Sequence, residues 1–293
     1  MRKLLLHLDT SRHPSLFDQI VAYDAAADVV LPYAGVAEGD VRDLIHGCIF
    51  TRGLKELRNT ACFIGGADIE AGAKLLEAAQ AAFFGPFRIS LMLDSNGSNT
   101  TAVAAVEKIF SVVPDVAGLR AVITAGTGPV GLRVAGLLAH AGAEVAITSR
   151  TDAHGETARA AIISRFEGDV TAYTVRAPEN LEKLLTDAVI LCNCGPAGVA
   201  LVPKRLWENH PTLRCAVDLN AVPPLGIEGI DANDNGKKYG NVVAFGALGV
   251  GGLKMKIHKA CIAHLFERND AVLDAESIAE LAHGLVHQGA TAT

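Results

Sequence analysis

Ala121-Val122-Ile123-Thr124-Ala125-Gly126-Thr127-Gly128-Pro129-Val130-Gly131 carries an apolar run directly into the spacing G-x-G-x-x-G. The chemistry open to such a turn is phosphate binding. Gly126 permits a tight strand-to-helix turn, Gly128 lets main chain approach a diphosphate, and Gly131 lets the helix close on the sheet. Thr127 and Val130 complete the turn. Pro129 falls at the first helical position, where its missing N–H costs nothing, and the next amides present partial positive charge to an anion. An amphipathic pattern from Leu132 to His140 and a second apolar run from Glu144 to Thr148 follow. A strand–turn–helix–strand frame of this length reads as a dinucleotide site.

The second strand ends in Thr148-Ser149-Arg150-Thr151, where an NAD site places Asp or Glu for the ribose 2′-OH. Ser149 offers a hydroxyl and Arg150 a planar fork of permanently charged donors, which suits a 2′-phosphate. The sequence therefore favours NADP, with NAD accepted more weakly. Asp152 comes late for the ribose. Taken singly, Arg150 also reads as an exposed solubilising charge.

Further loops fall at the carboxyl ends of apolar runs, where a doubly wound sheet binds ligands. Cys194-Gly195-Pro196-Ala197-Gly198 and the loop from Asn220 to Gly226 are expected beside the nicotinamide, through Cys194, Gly195 and Asn220. They also read as ordinary turns. Lys254, Lys256 and Lys259 follow the glycine-rich run Phe245–Gly252, itself read as a hinge or a loop where backbone approaches closely. They are placed in the opening turns of a helix, where the macrodipole disfavours cations. Either they serve a substrate or anion, Lys254 foremost, or they are snorkelling stems on a solvated face. The segment Asp94-Ser95-Asn96-Gly97-Ser98-Asn99-Thr100-Thr101 packs many short donors and acceptors between a strand and a helix. It suits a polar heterocycle through Asp94, Ser98, Asn99 and Thr101, or it is a helix-capping cluster.

The elements that must position these residues alternate regularly. Leu4–Leu8, Asp28–Leu31 and Ile89–Leu93 read as strands, Cys48–Phe50 and Cys62–Ile64 as extended, and Leu16–Ala22, Val41–His46 and Ile69–Ala82 as helices. Thr101–Phe110 is a bridging helix. After the glycine turn, strands at Val170–Val175, Ala188–Asn193 and Cys215–Leu219 alternate with helices at Asp152–Phe166 and Pro178–Leu185. Helices at Leu253–Phe266 and Ala275–Val286 close the chain. The fold class is α/β: a Rossmann-like, doubly wound parallel sheet domain plus a smaller α/β substrate domain, with a cleft between them. The expected boundaries are 1–111 for the substrate domain, 112–253 for the nucleotide domain, and 254–293 for C-terminal helices packing back.

With 293 residues, half of them hydrophobic, two domains with sizeable cores are expected. A net charge of −6 argues against nucleic acid as a partner. The apolar run at Leu4–Leu6 is too short for a signal peptide, and no stretch approaches a membrane span. Six cysteines without a C-x-x-C pair read as buried free thiols in a reducing cytoplasm. Cys192 and Cys194 are expected on opposite faces of a strand. The histidines show no metal-ligand spacing, so no metal is expected.

Five blocks carry a resemblance: Gly85-Pro86-Phe87-Arg88, Leu93 to Thr101, Ala125 to Gly131, Pro223-Pro224-Leu225-Gly226-Ile227 and Phe245-Gly246-Ala247-Leu248-Gly249. The chain resembles the NADP-dependent methylene-tetrahydromethanopterin dehydrogenases of methylotrophic bacteria, above all the branch that also takes methylene-tetrahydrofolate. The likeness runs from Leu4 to Phe266, with Tyr33, Thr51-Arg52-Gly53 and Ile230-Asp231-Ala232 in order. It implies a homo-oligomer that moves a hydride from the one-carbon bridge of a reduced pterin to NADP, with the pterin held between the domains. It further implies a catalytic role for Lys254 and pterin contacts at Asp18, Arg52, Asp94, Ser98, Asn99, Thr101 and Lys256. Phe17-Asp18 is retained, whereas Ser149-Arg150-Thr151 stands where the family has Gly-Arg-Lys, one cation fewer. Hydride leaves a carbon between two nitrogens that stabilise the resulting cation, so no proton is abstracted. Neither a nucleophile nor a metal is then required. A shikimate-dehydrogenase-like reductase would want a Lys and Asp pair in the first domain, and Lys55 and Lys74 have no evident partner. A non-catalytic NADP sensor would bind the nucleotide without turnover.

Overall fold

The computed structural model describes residues 1–288. It divides into two units, one of residues 1–100 together with the chain from Met255 onward, the other of residues 101–254. The first unit alternates β1 (Leu4–Asp9), α1 (Leu16–Ala25), β2 (Val29–Tyr33), α2 (Glu38–Ile49), β3 (Thr60–Gly65), α3 (Ile69–Ala81) and β4 (Ser90–Leu93). Helix α4 (Ser98–Phe110) leads into the second unit. There β5 (Arg120–Thr124), α5 (Pro129–His140), β6 (Glu144–Ser149), α6 (Asp152–Phe166), β7 (Val170–Thr174), α7 (Pro178–Leu185), β8 (Ala188–Asn193), β9 (Cys215–Asp218), β10 (Asn235–Tyr239) and β11 (Val242–Phe245) follow. Helix α8 (Ala247–His264) returns to the first unit, which β12 (Val272–Leu273) and α9 (Ala275–Gln288) complete.

The first unit is a five-stranded parallel sheet in the order β12-β4-β3-β1-β2. Strand β3 is buried along its whole length, as a strand covered on both faces must be. Val41, Ile45 and Ile49 of α2 recur every four residues and bury one helical face against Leu8 and Ile64. The second unit is seven-stranded, β10-β11-β9-β8-β5-β6-β7, and only β10 runs antiparallel to its neighbour. Trp207 fills this unit's core with no exposure, and its indole N–H donates to Glu228 O at 2.9 Å.

Strand order positions the sites. In each sheet the winding reverses once: between β1 and β3 in the first, between β5 and β8 in the second. At such a point the connections depart to opposite faces and leave a crevice beyond the strands' carboxyl ends.

Several expectations are corrected. Cys48 and Ile49 end α2 rather than starting a strand, because the helical period of its apolar residues continues through them. The run Ala247–Gly252 is helical, not a hinge. A side chain at Gly246 would come within 2.7 Å of Ala232 carbonyl carbon and one at Gly249 within 3.0 Å of Asp234 carbonyl carbon, so these glycines serve close approach rather than flexibility. Strands β10, β11 and β12 escaped the sequence reading, since β10 is charged and mostly exposed, β11 has four residues running into the glycine-rich stretch and β12 has two. The division between the units falls inside α4, after Thr100, and inside α8, after Lys254; the boundaries expected from the sequence were 111–112 and 253–254. Residues 289–293 of the expected terminal stretch lie outside the described residues. Among the described residues no helix is long and apolar enough to cross a membrane.

Candidate active site

Beyond the carboxyl ends of β5, β6 and β8 lies a cavity of about 640 Å³. Its floor is the glycine turn. The left-handed residue of that turn is Ala125 (φ 51°), which displaces the role expected of Gly126. Gly126 is required for another reason: a Cβ there would stand 2.7 Å from that of Ile147. One at Gly131 would stand 2.8 Å from Gly126 Cα, the close helix–strand approach that its position promised. Gly128 precedes α5 and no side chain caps the helix, while the nearest atom to a Cβ there is Ala125 O at 3.8 Å. Uncapped amides behind an open glycine fit a diphosphate.

Of the residues expected to bind cofactor, Thr127, Gly128, Pro129, Ser149, Arg150 and Cys194 line this cavity. Gly126, Val130, Gly131, Gly195 and Asn220 are absent from the lining and act from behind it. Asn220 braces two loops: its Oδ1 accepts from Val222 N at 2.9 Å, and its Nδ2 donates to Pro196 O and Pro224 O at 3.3 Å. Gly195 N donates to Asn193 Oδ1 at 3.2 Å. Cys192 and Cys194 do not face apart: their sulfurs are 3.8 Å from each other. Cys194 lies past the end of β8, where strand alternation no longer applies. Its hydrogen bond, then burial, hold the Cys192 thiol well above the usual range.

Sequence reasoning missed the network beneath this cavity. Thr124, Asn193 and Asp218 each end a strand. Thr124 donates its hydroxyl to Asn193 Oδ1 at 2.7 Å, Asn193 Nδ2 donates to Asp218 Oδ1 at 2.8 Å, and Asp218 Oδ2 accepts from Ile227 N at 2.8 Å. A polar residue closing each of three apolar runs, which the sheet then places side by side, was the signal. His154, on the first turn of α6, also lines the cavity. Asp152 is tied elsewhere, accepting the Thr174 hydroxyl.

The reversal point of the first sheet gathers a second set. Asp9 ends β1 and Gly65 ends β3. Asp9 orders the following loop, accepting from Ser11 N at 2.7 Å and Ser15 N at 2.9 Å. Ser15 caps α1, and Asp18 in its first turn carries a carboxylate oxygen 3.6 Å from where a Gly65 side chain would begin. Four rings stand beside it. His258 of α8 stacks on Phe63 (5.5 Å, 21°), Phe17 tilts toward His258 at 6.4 Å, and His7 meets Phe63 edge-on at 5.3 Å. His7, Phe63 and His258 were not singled out in the sequence: His7 and Phe63 sit in apolar runs that read as core, and His258 lies among the lysines that drew the attention.

The structure separates the expected substrate residues. Asp94 is buried, and its Oδ1 accepts from Asn99 N and Thr100 N at 2.9 and 3.0 Å while Oδ2 accepts the Thr100 hydroxyl at 2.6 Å. Ser98 donates to Ser95 O at 2.7 Å. Of the two readings of this segment, helix capping is the one its geometry displays; Asp94, Ser98 and Asn99 hold the start of α4, and Thr101 lies one residue further along. Arg52 is not brought to this edge. Its guanidinium donates to Arg2 O and Asn59 O, at the amino ends of β1 and β3. The lysines also part. Helix α8 opens at Ala247, and Ala232 O accepts from Leu248 N there at 2.8 Å, so none of the three lies in the opening turn and the macrodipole argument lapses. Lys259 pairs with Asp24 at 3.0 Å and Lys256 is exposed. Lys254 is half-buried, one helical turn before His258 on the same face. Among the described residues no group of three His, Cys, Asp or Glu could hold a metal ion.

The model of the family described as "Methylene-tetrahydromethanopterin dehydrogenase, N-terminal" matches residues 16–96. The chain is 46% identical over 282 residues to "Bifunctional protein MdtA" of Methylorubrum extorquens, covering 96% of this chain and 98% of that one. It is 35% identical to the "NAD(P)-dependent methylenetetrahydromethanopterin dehydrogenase" of the same organism, over 87% of this chain and 89% of that one. The chain belongs to the methylene-tetrahydromethanopterin dehydrogenase family. The resemblance read from the five sequence blocks is thereby borne out. Shikimate 5-dehydrogenase of Listeria monocytogenes, solved with shikimate and NAD, superposes with a TM-score of 0.51 over 96% of both chains at 14% identity. At that identity the likeness shows a shared α/β dehydrogenase fold and nothing of the substrate.

His7 makes a stability prediction. Burial lowers its pKa, outweighing the opposing pull of Asp9, so the 3.5 Å contact with Asp9 Oδ2 is not an ion pair at neutral pH. The unfolded chain takes up this proton near pH 6.5, before the folded one does. Stability is therefore full above that pH and falls as the medium is acidified below it. Urea midpoints for wild type and His7→Gln should diverge in pH dependence between about pH 7.5 and about pH 5.5, the wild type losing more. Parallel declines would place the acid sensitivity elsewhere.

Proposed function

We propose that this enzyme oxidises the methylene bridge of methylene-tetrahydromethanopterin, and of methylene-tetrahydrofolate, to the methenyl form with NADP as acceptor. The observation that carries this reading is the pairing of an open glycine turn with Ser149 and Arg150 in one cavity, on a chain of this family. Thr127, Gly128 and the first amides of α5 would hold the diphosphate, and Ser149 and Arg150 the 2′-phosphate. When bound, the nicotinamide supplies the hydride acceptor.

The chain's own residues orient and stabilise. Phe17, exposed beside the buried Phe63–His258 stack, offers a ring face to a flat pterin, and the Asp18 carboxylate over Gly65 favours the cation that forms as hydride departs. Lys254 fixes a polar atom of the pterin. The Asp94 segment sets the start of α4 and, through Gly66 O accepting from Asn96 N at 2.7 Å, the end of β3. Six free thiols suit the cytoplasm, and a homo-oligomer is the expected state, checked by light scattering.

Initial rates of nucleotide reduction with both pterins and both nicotinamide nucleotides test the reading. Turnover with NADP exceeding that with NAD is expected for at least the methanopterin substrate. Nucleotide binding without reduction by either pterin would instead identify a sensor.

A further inference from the structure

We propose that His154, beside Arg150, is a further residue that binds the adenosine 2′-phosphate and so separates NADP from NAD. The inference rests on the reading of the 640 Å³ cavity as a nicotinamide-nucleotide site. Thr151 caps α6 through its hydroxyl, which accepts from His154 N at 3.4 Å, and this sets His154 on the first turn. Arg150 lies just before that cap, at the end of β6. Both side chains line the cavity that the glycine turn floors.

A helix N-terminus carries partial positive charge, and Arg150 adds a full one, so this part of the wall favours an anion such as the 2′-phosphate. Among the lining residues the titratable groups are Arg150 from β6, His154 from α6 and Cys194 from the loop after β8; β7 and α7 contribute Val175 and Leu181. The wall therefore carries no carboxylate to compete. Asp152, on the same turn of α6, is engaged by the Thr174 hydroxyl. NAD lacks the phosphate and gains nothing from the imidazole. Discrimination between the two nucleotides should consequently sharpen as pH falls through the range in which histidine changes charge. The phosphate's own second ionisation, near pH 6, acts the other way, because acid removes its charge. It persists in a His154 variant, so the difference between wild type and variant isolates the imidazole.

The test is equilibrium binding of NADP and NAD to the full chain, by calorimetry, for wild type, His154→Gln and Arg150→Gln at about pH 6 and about pH 8. His154→Gln should weaken NADP about fivefold at the lower pH, the upper range for an exposed charge pair, and less than about twofold at the higher. NAD affinity should be the same as wild type at both. Arg150→Gln should weaken NADP at both pH values, since a guanidinium does not titrate there. Equal NADP affinity in wild type and His154→Gln at both pH values overturns the proposal, as does an equal loss of NAD and NADP. A wild-type chain that binds neither nucleotide would remove the pocket reading itself, and this inference with it.

Discussion

Replacing Lys254 by Met should lower kcat by about 100-fold while the dissociation constant for NADP stays within about twofold. The two effects separate because the cavity read as the nucleotide site takes no lining residue from α8. Lys254 shares a helical face with His258, whose ring stacks on Phe63 at the other sheet's reversal point. Removing a cation that holds a polar atom of the pterin leaves the substrate free to rotate, so fewer bound complexes present the methylene carbon correctly. Met keeps the length and packing of the stem while deleting the charge. Lys254→Arg should recover part of kcat, since charge is restored with altered geometry. Initial rates combined with equilibrium titration decide the matter. A large loss of NADP affinity in Lys254→Met would mean that the residue serves the nucleotide.

Gly226→Ala should destabilise the second unit by about 2–4 kcal/mol. Its Cβ would overlap Asn193 Nδ2, coming within 2.7 Å of that side chain's Cγ and 2.8 Å of Asp218 Oδ1. Asn193 cannot yield cheaply. It is wholly buried, accepts from the Thr124 hydroxyl and Gly195 N, and donates to Asp218. Moving it leaves buried polar atoms unpaired at the ends of β5, β8 and β9 together, and shifts the loop that brings Cys194 to the cavity. Thermal and urea unfolding measure the loss, and NADP affinity should fall with it. In an Asn193→Ala background the same substitution has room and its penalty should shrink. An unchanged penalty there would show that the overlap is not its cause.

How much of this was legible depended on whether a signal was local. The glycine turn was readable because periodicity, proline placement and glycine spacing all describe a few adjacent residues, and Arg150 follows from a fixed offset. Strands β1, β3, β5 and β8 were readable because burial on both faces leaves continuous apolar runs. The run from Gly246 to Gly252 misled because glycine has two uses. Here it admits main chain at Ala232 and Asp234, and tertiary packing overrides glycine's poor helix propensity. Asp94 carried two readings for a related reason: a carboxylate bound to three donors of its own helix start has the same composition as one waiting for a ligand. His7 and His258 gave no local signal at all. They lie more than two hundred residues apart in the chain and meet only through the ring of Phe63.

That separation has a consequence for biosynthesis. Strand β12 pairs with β4, and Leu91 N donates to Ala271 O at 2.8 Å, so the first sheet borrows its outermost strand from the end of the chain. A nascent polypeptide leaving the ribosome can finish the second unit while the unit begun first still lacks that strand, α9 and the imidazole of His258. Translation arrested after Lys254 would thus release a chain whose second unit is complete but whose β4 is bare along one side, an invitation to pair with a neighbour.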